Sequence, residues 1–328
     1  MQANLLHAPH IRHQESTRAM MIDITLALVA LYAIAFYYYG QRVIALGCIS
    51  VAAAVLADVI SLLLMRKRIH IRDLSAVITG LILPLLMPAA VDFHVPVVAA
   101  LFAIFVAKAP FGGFGHNVFN PAAAGFGFAA ICFPVQMFSY TVPLAHLPMT
   151  IVREDLMLAT SPALSLKAGG IPQFDTIEML LGNFAGPLGA TNIIVLLACL
   201  LYLVFRGTLR WEMPVFFLLT TAILSLWFPR VQTSGIDSLL YEMMSGMLLF
   251  GAVFMLGDPV TSPKRDLTKI AYAIIAGCIV MLFRHIGNLE EGFIYALLLM
   301  NATVWGFDMI AESIAGYVRR KKPPSLLE

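Results

Sequence analysis

Long apolar segments dominate this chain and most restrict what it can fold into. Of its 328 residues, 60% are hydrophobic and 12% are charged, and the mean hydropathy is +0.86. Soluble proteins are roughly half apolar and a quarter charged. A membrane-spanning helix satisfies its own backbone hydrogen bonds and needs about 20 apolar residues, whereas the strands of a membrane barrel alternate in polarity. The sequence therefore predicts an all-α integral membrane protein.

The apolar segments form two groups that are separated by a long linker. The pattern predicts about ten transmembrane helices, at 20–39, 43–65, 74–90, 95–108, 117–134, 188–205, 213–228, 239–256, 270–284 and 292–310. An odd number of spans in each group inverts one group relative to the other in the membrane. We therefore predict two inverted five-helix repeats.

The same division predicts the domain boundaries. Each repeat is one membrane domain, the linker between them lies outside the cytoplasm, and the two ends of the chain are cytoplasmic. The predicted parts are an N-terminal segment 1–19, a first repeat 20–134, an extracytoplasmic loop 135–187, a second repeat 188–312 and a basic tail 313–328.

Lysine and arginine predict the orientation, because they accumulate in short cytoplasmic loops. With both termini inside, 16 of the 21 basic residues lie on the cytoplasmic side. The remaining five would lie outside: Arg42, Arg153, Lys167, Arg230 and Arg284. Topology thus accounts for the formal net charge of +2, and the basic residues do not form a nucleic-acid recognition face. We predict a multi-pass protein of the cell inner membrane whose long loop is periplasmic.

Carboxylates within apolar segments are candidates for an ion pathway, because a charge near the bilayer centre costs about 2.5–3.5 kcal/mol. Asp58 lies within the second predicted span, and Asp258 precedes Pro259. Asp58 could relay an ion or proton, or it could bond to a neighbouring helix. Asp258 could coordinate a cation at a broken helix or cap the next turn. We expect Asp23 and Glu242, nearer the span ends, to face water.

Each predicted repeat contains a polar interruption that is rich in glycine and proline, at 108–121 and at 256–263. Irregular backbone is tolerated at membrane depth only where protein or a water-filled cavity surrounds it. An ordinary cytoplasmic loop is the alternative. Asn117 and Asn120 could bind a ligand through their amides, or they could cap the helix that follows.

Four motifs resemble a known family of membrane proteins. They are Phe111-Gly112-Gly113-Phe114-Gly115-His116-Asn117-Val118-Phe119-Asn120-Pro121-Ala122, Ala159-Thr160-Ser161-Pro162, Gly257-Asp258-Pro259-Val260-Thr261-Ser262-Pro263, and Glu290-Glu291-Gly292 with Leu298-Leu299-Met300-Asn301-Ala302. In this order they resemble the NqrB/RnfD family. Its members are flavin-bearing membrane subunits of the Na+-translocating NADH:quinone reductase and of the Rnf ferredoxin:NAD+ oxidoreductase complex. The short N-terminal segment is more similar to RnfD.

The resemblance implies two flavins. A dedicated flavin transferase would attach FMN through its phosphate to a threonine, which by position is Thr160. The family's attachment sequence usually runs Asp-Gly-x-Ser/Thr-Gly-Ala-Thr, and here the glycine after the aspartate and the upstream hydroxyl are missing. Without the family, Thr160 and Ser161 would indicate only the start of a helix. A second, noncovalent flavin, riboflavin, is implied near His116, Asn117 and Asn120.

The function that the resemblance implies is electron relay through covalent FMN, coupled to translocation of Na+ or H+. The chain would act as one component of an ion-translocating oxidoreductase, without a complete active site of its own. Its partners would be the A, B, C, E and G components of the Rnf complex. The isolated cysteines at 48, 132, 199 and 278 predict no metal site. The alternatives are an NqrB-type component of the quinone reductase and a non-redox transporter resembling the urea channels.

Overall fold

The computed structural model describes residues 17–67, 73–151, 156–287 and 290–321. Several predictions therefore concern residues outside these ranges. Among them are the N-terminal segment up to residue 16, the attachment-sequence residues Glu154 and Asp155, the predicted outer residue Arg153, and the end of the basic tail from 322.

Helices form nearly all of the regular structure in the described ranges. They are α1 (Thr17–Tyr39), α2 (Gln41–Leu64), α3 (Ser75–Leu85), α4 (His94–Phe102), α5 (Pro121–Cys132), α6 (Pro134–Met137), α7 (Pro162–Lys167), α8 (Thr176–Leu181), α9 (Ile193–Phe205), α10 (Glu212–Trp227), α11 (Gly235–Met244), α12 (Leu248–Phe254), α13 (Asp266–Ile286) and α14 (Phe293–Lys321). A π-helical turn (Ala103–Lys108) and a 3₁₀ turn (Ala109–Phe111) extend α4.

The helices agree with the predicted membrane class. Among the described residues, five helices are long and apolar enough to cross a membrane: α1, α2, α4 with its extension, α13 and α14. The pair α11 and α12, bent by 55°, makes a sixth candidate, and α3, α5, α9 and α10 are shorter apolar helices. Together they coincide with the ten predicted segments, so the all-helical, multi-pass fold class is confirmed. The inverted relation of the two halves stays a prediction.

The helix predicted at 292–310 continues to Lys321, and the one predicted at 188–205 begins only at Ile193. Two further predicted helices end or break inside the bundle, where other parts of the chain bond to their backbone. The helix predicted at 74–90 ends at Leu85, because the Leu85 and Met87 carbonyls accept hydrogen bonds from Gly189 and Leu188 at 2.7 and 3.1 Å. The helix predicted at 239–256 is interrupted between Met244 and Leu248. Both interruptions lie inside the bundle, where other parts of the chain bond to the freed backbone groups.

Close helix contacts depend on glycine. A Cβ on Gly80 of α3 would lie 2.6 Å from the Cα of Val51 on α2, and one on Gly125 of α5 would lie 2.4 Å from the Ala99 carbonyl on α4. Small residues let helix backbones approach each other closely in membrane proteins. The first half is therefore packed tightly around α2, which carries Asp58, and α4, whose π-helical extension ends at Lys108.

The linker between the halves is more ordered than the predicted loop. It contains α6, α7 and α8, and one antiparallel bridge joins Thr141 to Leu158. The Ala159 N–H donates to the Tyr140 carbonyl at 3.0 Å, and the Val142 N–H donates to the Met157 carbonyl at 3.2 Å. These bonds hold the segment that leads into Thr160.

Candidate functional site

A broad cavity of about 630 Å³ opens between α1, α2 and the turn after α4. Lys108, whose side chain is 3% exposed, lies in its wall and points its Nζ towards acceptors from two other elements. The Nζ lies 2.9 Å from Asp58 Oδ1 and 4.0 Å from Asp73 Oδ2, and it donates to Ser75 Oγ at 2.7 Å. The lining residues that matter below also include Thr17, Met21, Lys67 and Phe114.

The group around Lys108 is an oxygen-rich site that already contains a positive charge. Two carboxylates and a hydroxyl are the oxygen ligands that a hard cation takes in proteins, and here the ammonium lies among them. Lys108 ends a π-helical turn, an irregularity that is frequent at functional sites. Asp58 is thus paired with a neighbouring element, and a bond of this kind was one of the two alternatives predicted for it.

The Asp58–Lys108 pair is expected to be strongly coupled energetically. In a double-mutant cycle with Asp58→Asn and Lys108→Met, we expect an interaction free energy of about 1–3 kcal/mol, because both groups lose water in the fold. Unfolding in detergent micelles, followed by thermal or denaturant titration, measures it. The pair Asp266 and Lys269, 3.4 Å apart with the aspartate side chain 66% exposed, is the control, with an expected coupling of about 0–1 kcal/mol. Equal couplings in the two cycles would contradict this assignment.

A narrow cavity of about 140 Å³ adjoins the broad one. Asn117, Asn120 and Asp258 all contribute to its wall, although they come from interruptions in opposite halves of the sequence. Thr17, Met21, Lys108 and Phe114 line both cavities. The structure therefore brings together three of the predicted site residues and places Asp58 in the adjoining cavity.

Asn301 of α14 joins the two interruptions across the interior. Its Oδ1 accepts a hydrogen bond from the Asn120 N–H at 2.9 Å, and its Nδ2 donates to the Thr261 carbonyl and to the Tyr272 hydroxyl, both at 3.1 Å. Asn301 is 2% exposed. Its buried amide thus holds the wall of the narrow cavity in place. In the sequence, Asn301 was indicated only as part of the fourth motif.

The predicted capping roles of Asn120 and Asp258 are both observed. Asn120 Oδ1 accepts from the Ala123 N–H at 3.2 Å at the start of α5. Asp258 accepts from the Val260 N–H at 3.1 Å and from the Thr261 hydroxyl at 3.0 Å. Burial raises the pKa of Asp258, and these two hydrogen bonds oppose the rise. Both side chains cap a turn and also line the narrow cavity.

His116 lies apart from the other predicted residues. Its side chain is exposed, and its Nδ1 lies 3.3 Å from the Phe114 carbonyl. It lines neither cavity. Asn117, the next residue, is 7% exposed, and its Nδ2 donates to the Phe119 carbonyl at 3.2 Å.

Thr160 is exposed and lies two residues before α7. Ser161 caps this helix by accepting the Leu164 N–H at 3.0 Å, and Pro162 is its first residue, as the predicted helix start requires. The Ser161 hydroxyl also donates to a carboxylate oxygen of Glu290, in the connection between α13 and α14. The Thr160 segment is therefore attached to the second half of the bundle.

An ion network near the bend between α11 and α12 was not predicted. The carboxylate of Glu242, 1% exposed, binds the guanidinium groups of Arg230 and Arg284, the latter at 2.8 Å. The expectation that Glu242 faces water is wrong, because these two arginines, distant in sequence, balance its charge inside the fold. The spacing of charged residues gave no signal for this three-residue contact.

Asp23 is a second carboxylate that was wrongly expected to face water. It is 6% exposed, and it accepts hydrogen bonds from Tyr202 at 2.9 Å, Arg206 at 3.2 Å and Thr208 at 3.0 Å. The partners lie on α9 and just beyond it, so the pairing joins the first helix of one half to the first long helix of the other.

Two basic residues assigned to opposite sides of the membrane donate to backbone carbonyls. Arg42, assigned outside, is 2% exposed and donates to the Val91 carbonyl at 2.8 Å and to the Met149 carbonyl in the linker. Lys67, assigned inside, donates to the Gly112 carbonyl at 2.6 Å beside the broad cavity. The assignment of these residues to the two sides of the membrane stays a prediction.

Known proteins resemble this chain along almost its whole length. Residues 4–315 match the model of the NQR2, RnfD, RnfE family. The chain is 34% identical to the D subunit of the Na(+)-translocating ferredoxin:NAD(+) oxidoreductase complex of Acetobacterium woodii, over 96% of each chain. It is 30% identical to the D subunit of the ion-translocating oxidoreductase complex of Cronobacter sakazakii, over 93% of this chain and 96% of that one.

A third relative bears a related name with a different ion. The D subunit of the proton-translocating ferredoxin:NAD(+) oxidoreductase complex of Clostridium ljungdahlii is 29% identical, over 95% of this chain and 96% of its own. Relatives at similar identity are thus named for Na+ and for protons.

Proposed function

This chain belongs to the NQR2, RnfD, RnfE family, and from that membership we propose that it is the D subunit of an Rnf-type, ion-translocating ferredoxin:NAD+ oxidoreductase complex. The observation that carries the proposal is the match to the D subunits of such complexes over nearly the full length of both chains. As one component among several, it contributes an electron relay and part of an ion path. The reactions with ferredoxin and NAD+ take place on partner subunits.

Thr160 is the proposed attachment point for FMN, through a phosphoester made by a flavin transferase on the periplasmic side of the inner membrane. Its exposure supports this, because an enzyme must reach the hydroxyl, and the hydrogen bond between Ala159 and Tyr140 holds the segment in place. A phosphoester uses the end of FMN remote from the ring, so the bound ring remains free to accept and pass electrons.

Riboflavin is proposed to bind across the two adjoining cavities. Ligand pockets usually measure about 300–1,000 Å³, so the narrow cavity of about 140 Å³ is too small by itself and the broad one of about 630 Å³ supplies the remaining volume. Described hydrogen bonds use Asn117 Nδ2 and Asn120 Oδ1. Asn117 Oδ1 and Asn120 Nδ2 are the atoms with which these residues would hold the flavin. His116, outside both cavities, would contact it only after a local rearrangement.

Asp58 and Asp258 are the proposed ion-pathway residues on the cytoplasmic side. Lys108 supports this assignment, because its ammonium compensates the Asp58 carboxylate when no ion is present, at a separation of 2.9 Å. An arriving cation would compete with the ammonium for the same oxygens. Relatives named for either ion leave Na+ and H+ as equal candidates for the transported species.

The covalent flavin is tested by replacing its attachment residue. We expect Thr160→Ala to abolish covalent flavin, because the phosphoester requires the hydroxyl, while the protein still inserts and assembles. The readouts are peptide mass spectrometry and in-gel flavin fluorescence after coexpression with the flavin transferase. Thr150→Ala, at another exposed threonine of the linker, is the matched control and should retain the flavin.

The same experiment separates the proposal from its alternatives. Unmodified Thr160 in wild-type protein, with the transferase active on another substrate, would reject the flavin relay and favour the urea-channel-like transporter. NADH:quinone activity that copurifies with a flavin-bearing chain would instead favour the NqrB-type assignment. Ferredoxin:NAD+ activity in the isolated complex, lost with Thr160→Ala, is the result that the proposal requires.

A further inference from the structure

A buried carboxylate contacts the segment that carries Thr160. Glu290 is 8% exposed and accepts a hydrogen bond from the hydroxyl of Ser161, the residue next to Thr160. Because Ser161 also caps α7, the position of its hydroxyl is fixed by the backbone of that helix. The contact therefore joins a titratable group of the second half directly to the proposed flavin-bearing segment.

Among the described residues, the titratable groups that interact with Glu290 include Glu291, Tyr140 and Lys167. Glu291 beside it is 1% exposed, and Tyr140, 2% exposed, has a hydroxyl with no hydrogen-bond partner among the described residues. Lys167 of α7 is the cation that acts on Glu290, and the guanidinium groups of Arg230 and Arg284 act on Glu291 instead. Glu290 thus lies between a second carboxylate and one lysine.

This environment brings the proton equilibrium of Glu290 into the physiological range. Burial raises the pKa of Glu290 to about 7, with Glu291 adding to the rise and with the Ser161 hydrogen bond and Lys167 opposing it. Burial raises the pKa of Glu291 also, but at 1% exposure that residue is enclosed. Glu290 keeps more contact with the surface and is the better placed of the two for proton exchange.

We propose that Glu290 is a proton-exchanging residue that compensates negative charge arriving at Thr160. The inference rests on the proposed flavin attachment. When an electron from a one-electron donor of the complex reaches the group on Thr160, the Glu290 carboxylate takes up one proton from the outer aqueous phase. One negative and one positive charge enter together, so the local charge is unchanged. The proton leaves again when the electron passes to the next carrier.

The first experiment measures the midpoint potential of the covalent flavin against pH in the purified complex, in wild type and in Glu290→Gln. Glutamine retains an acceptor for Ser161 but cannot take up a proton. If Glu290 binds one proton per electron, the wild-type midpoint potential falls by up to about 59 mV for each unit increase in pH, which is the value for a one-electron couple. The slope should decrease in Glu290→Gln above pH about 7, where Glu290 is ionised before reduction. At lower pH Glu290 is already protonated and takes up no further proton, so the two slopes should converge.

Glu178→Gln is the matched control, since Glu178 is an exposed acid of the linker whose capping contact glutamine preserves. Its potential should follow wild type. Identical slopes in wild type and Glu290→Gln, with FMN present on Thr160, would overturn the inference and leave the proposed function intact. Absence of FMN from wild-type Thr160 would overturn both, and mass spectrometry of the same sample reports it separately.

A second measurement does not need the flavin. Because the pKa of Glu290 is raised, the folded state binds more protons than the unfolded state between the ordinary glutamate value, about 4.3, and about 7. Wild-type stability should therefore fall as pH rises through this window. Glu290→Gln should have a higher apparent unfolding temperature than wild type above pH about 7 and lose that advantage below about 4.3. A constant difference at all pH values would contradict a titrating Glu290.

Discussion

Replacing Glu242 by alanine is expected to destabilise the bundle by about 3–5 kcal/mol, because it leaves two buried guanidinium groups without their shared carboxylate. The Arg284 side chain is 1% exposed and that of Arg230 is 7% exposed. Arg284 also donates to the Glu242 and Ser245 carbonyls at 2.8 and 2.9 Å. The network therefore supports the backbone at the bend between α11 and α12.

Unfolding of the detergent-solubilised protein measures this effect. Glu312→Ala removes an exposed acid from α14 and should change the free energy of unfolding by less than about 0.5 kcal/mol. Replacing Glu242, Arg230 and Arg284 together by methionine should cost less than Glu242→Ala alone, because neither guanidinium then remains buried without its carboxylate partner. A single Glu242→Ala variant as stable as Glu312→Ala would contradict the buried network.

The second large effect is expected at Gly246, in the same bend. Its φ of +68° is in the left-handed region, and a Cβ there would lie 2.0 Å from Glu291 Oε1. Alanine must therefore adopt a strained backbone and displace the Glu291 carboxylate, whose Oε2 accepts the Met247 N–H at 3.1 Å. We expect Gly246→Ala to cost at least about 2 kcal/mol, since strained backbone conformations alone cost about 1–3 kcal/mol.

Gly306→Ala is the matched control for this prediction. Gly306 lies in α14, and an added Cβ would have no heavy atom within 4 Å among the described residues. In a helix, alanine is favoured over glycine by about 1 kcal/mol, so this variant should be as stable as wild type or more so. The apparent unfolding temperatures of the two variants in one detergent give the comparison. Equal values would show that the bend tolerates a side chain at Gly246.

The bend also connects the two regions of the candidate site. Glu291 follows Glu290, which contacts Ser161, and the Glu291 carboxylate bonds to the Met247 N–H before α12. Past the end of α12, the chain reaches Asp258 in the narrow cavity. The Thr160 segment is thus linked by hydrogen bonds to the start of α12, the chain of α12 then leads towards Asp258, and Gly246 directly precedes Met247.

Much of the site was predictable from local sequence. The sequence indicated three caps, because capping depends on residues within a few positions. They are Asn120 before Pro121, Ser161 before Pro162 and Asp258 at a turn. The contact of Asp58 with another helix was one of two alternatives. The choice needed Lys108, 50 positions along the chain, whose ammonium is 2.9 Å away only in the folded bundle.

Hydropathy and the order of the motifs were enough to predict the membrane class, the ten apolar segments and the family, since these are properties of neighbouring residues. The pairing of charges inside the bundle emerged only from the folded chain: Glu242 with Arg230 and Arg284, Asp23 with Arg206, and Glu290 with Ser161. The early end of α3 and the separation of α11 from α12 emerged in the same way. A buried charge or freed backbone group is tolerated only where a partner distant in the sequence reaches it, and no local pattern specifies that partner.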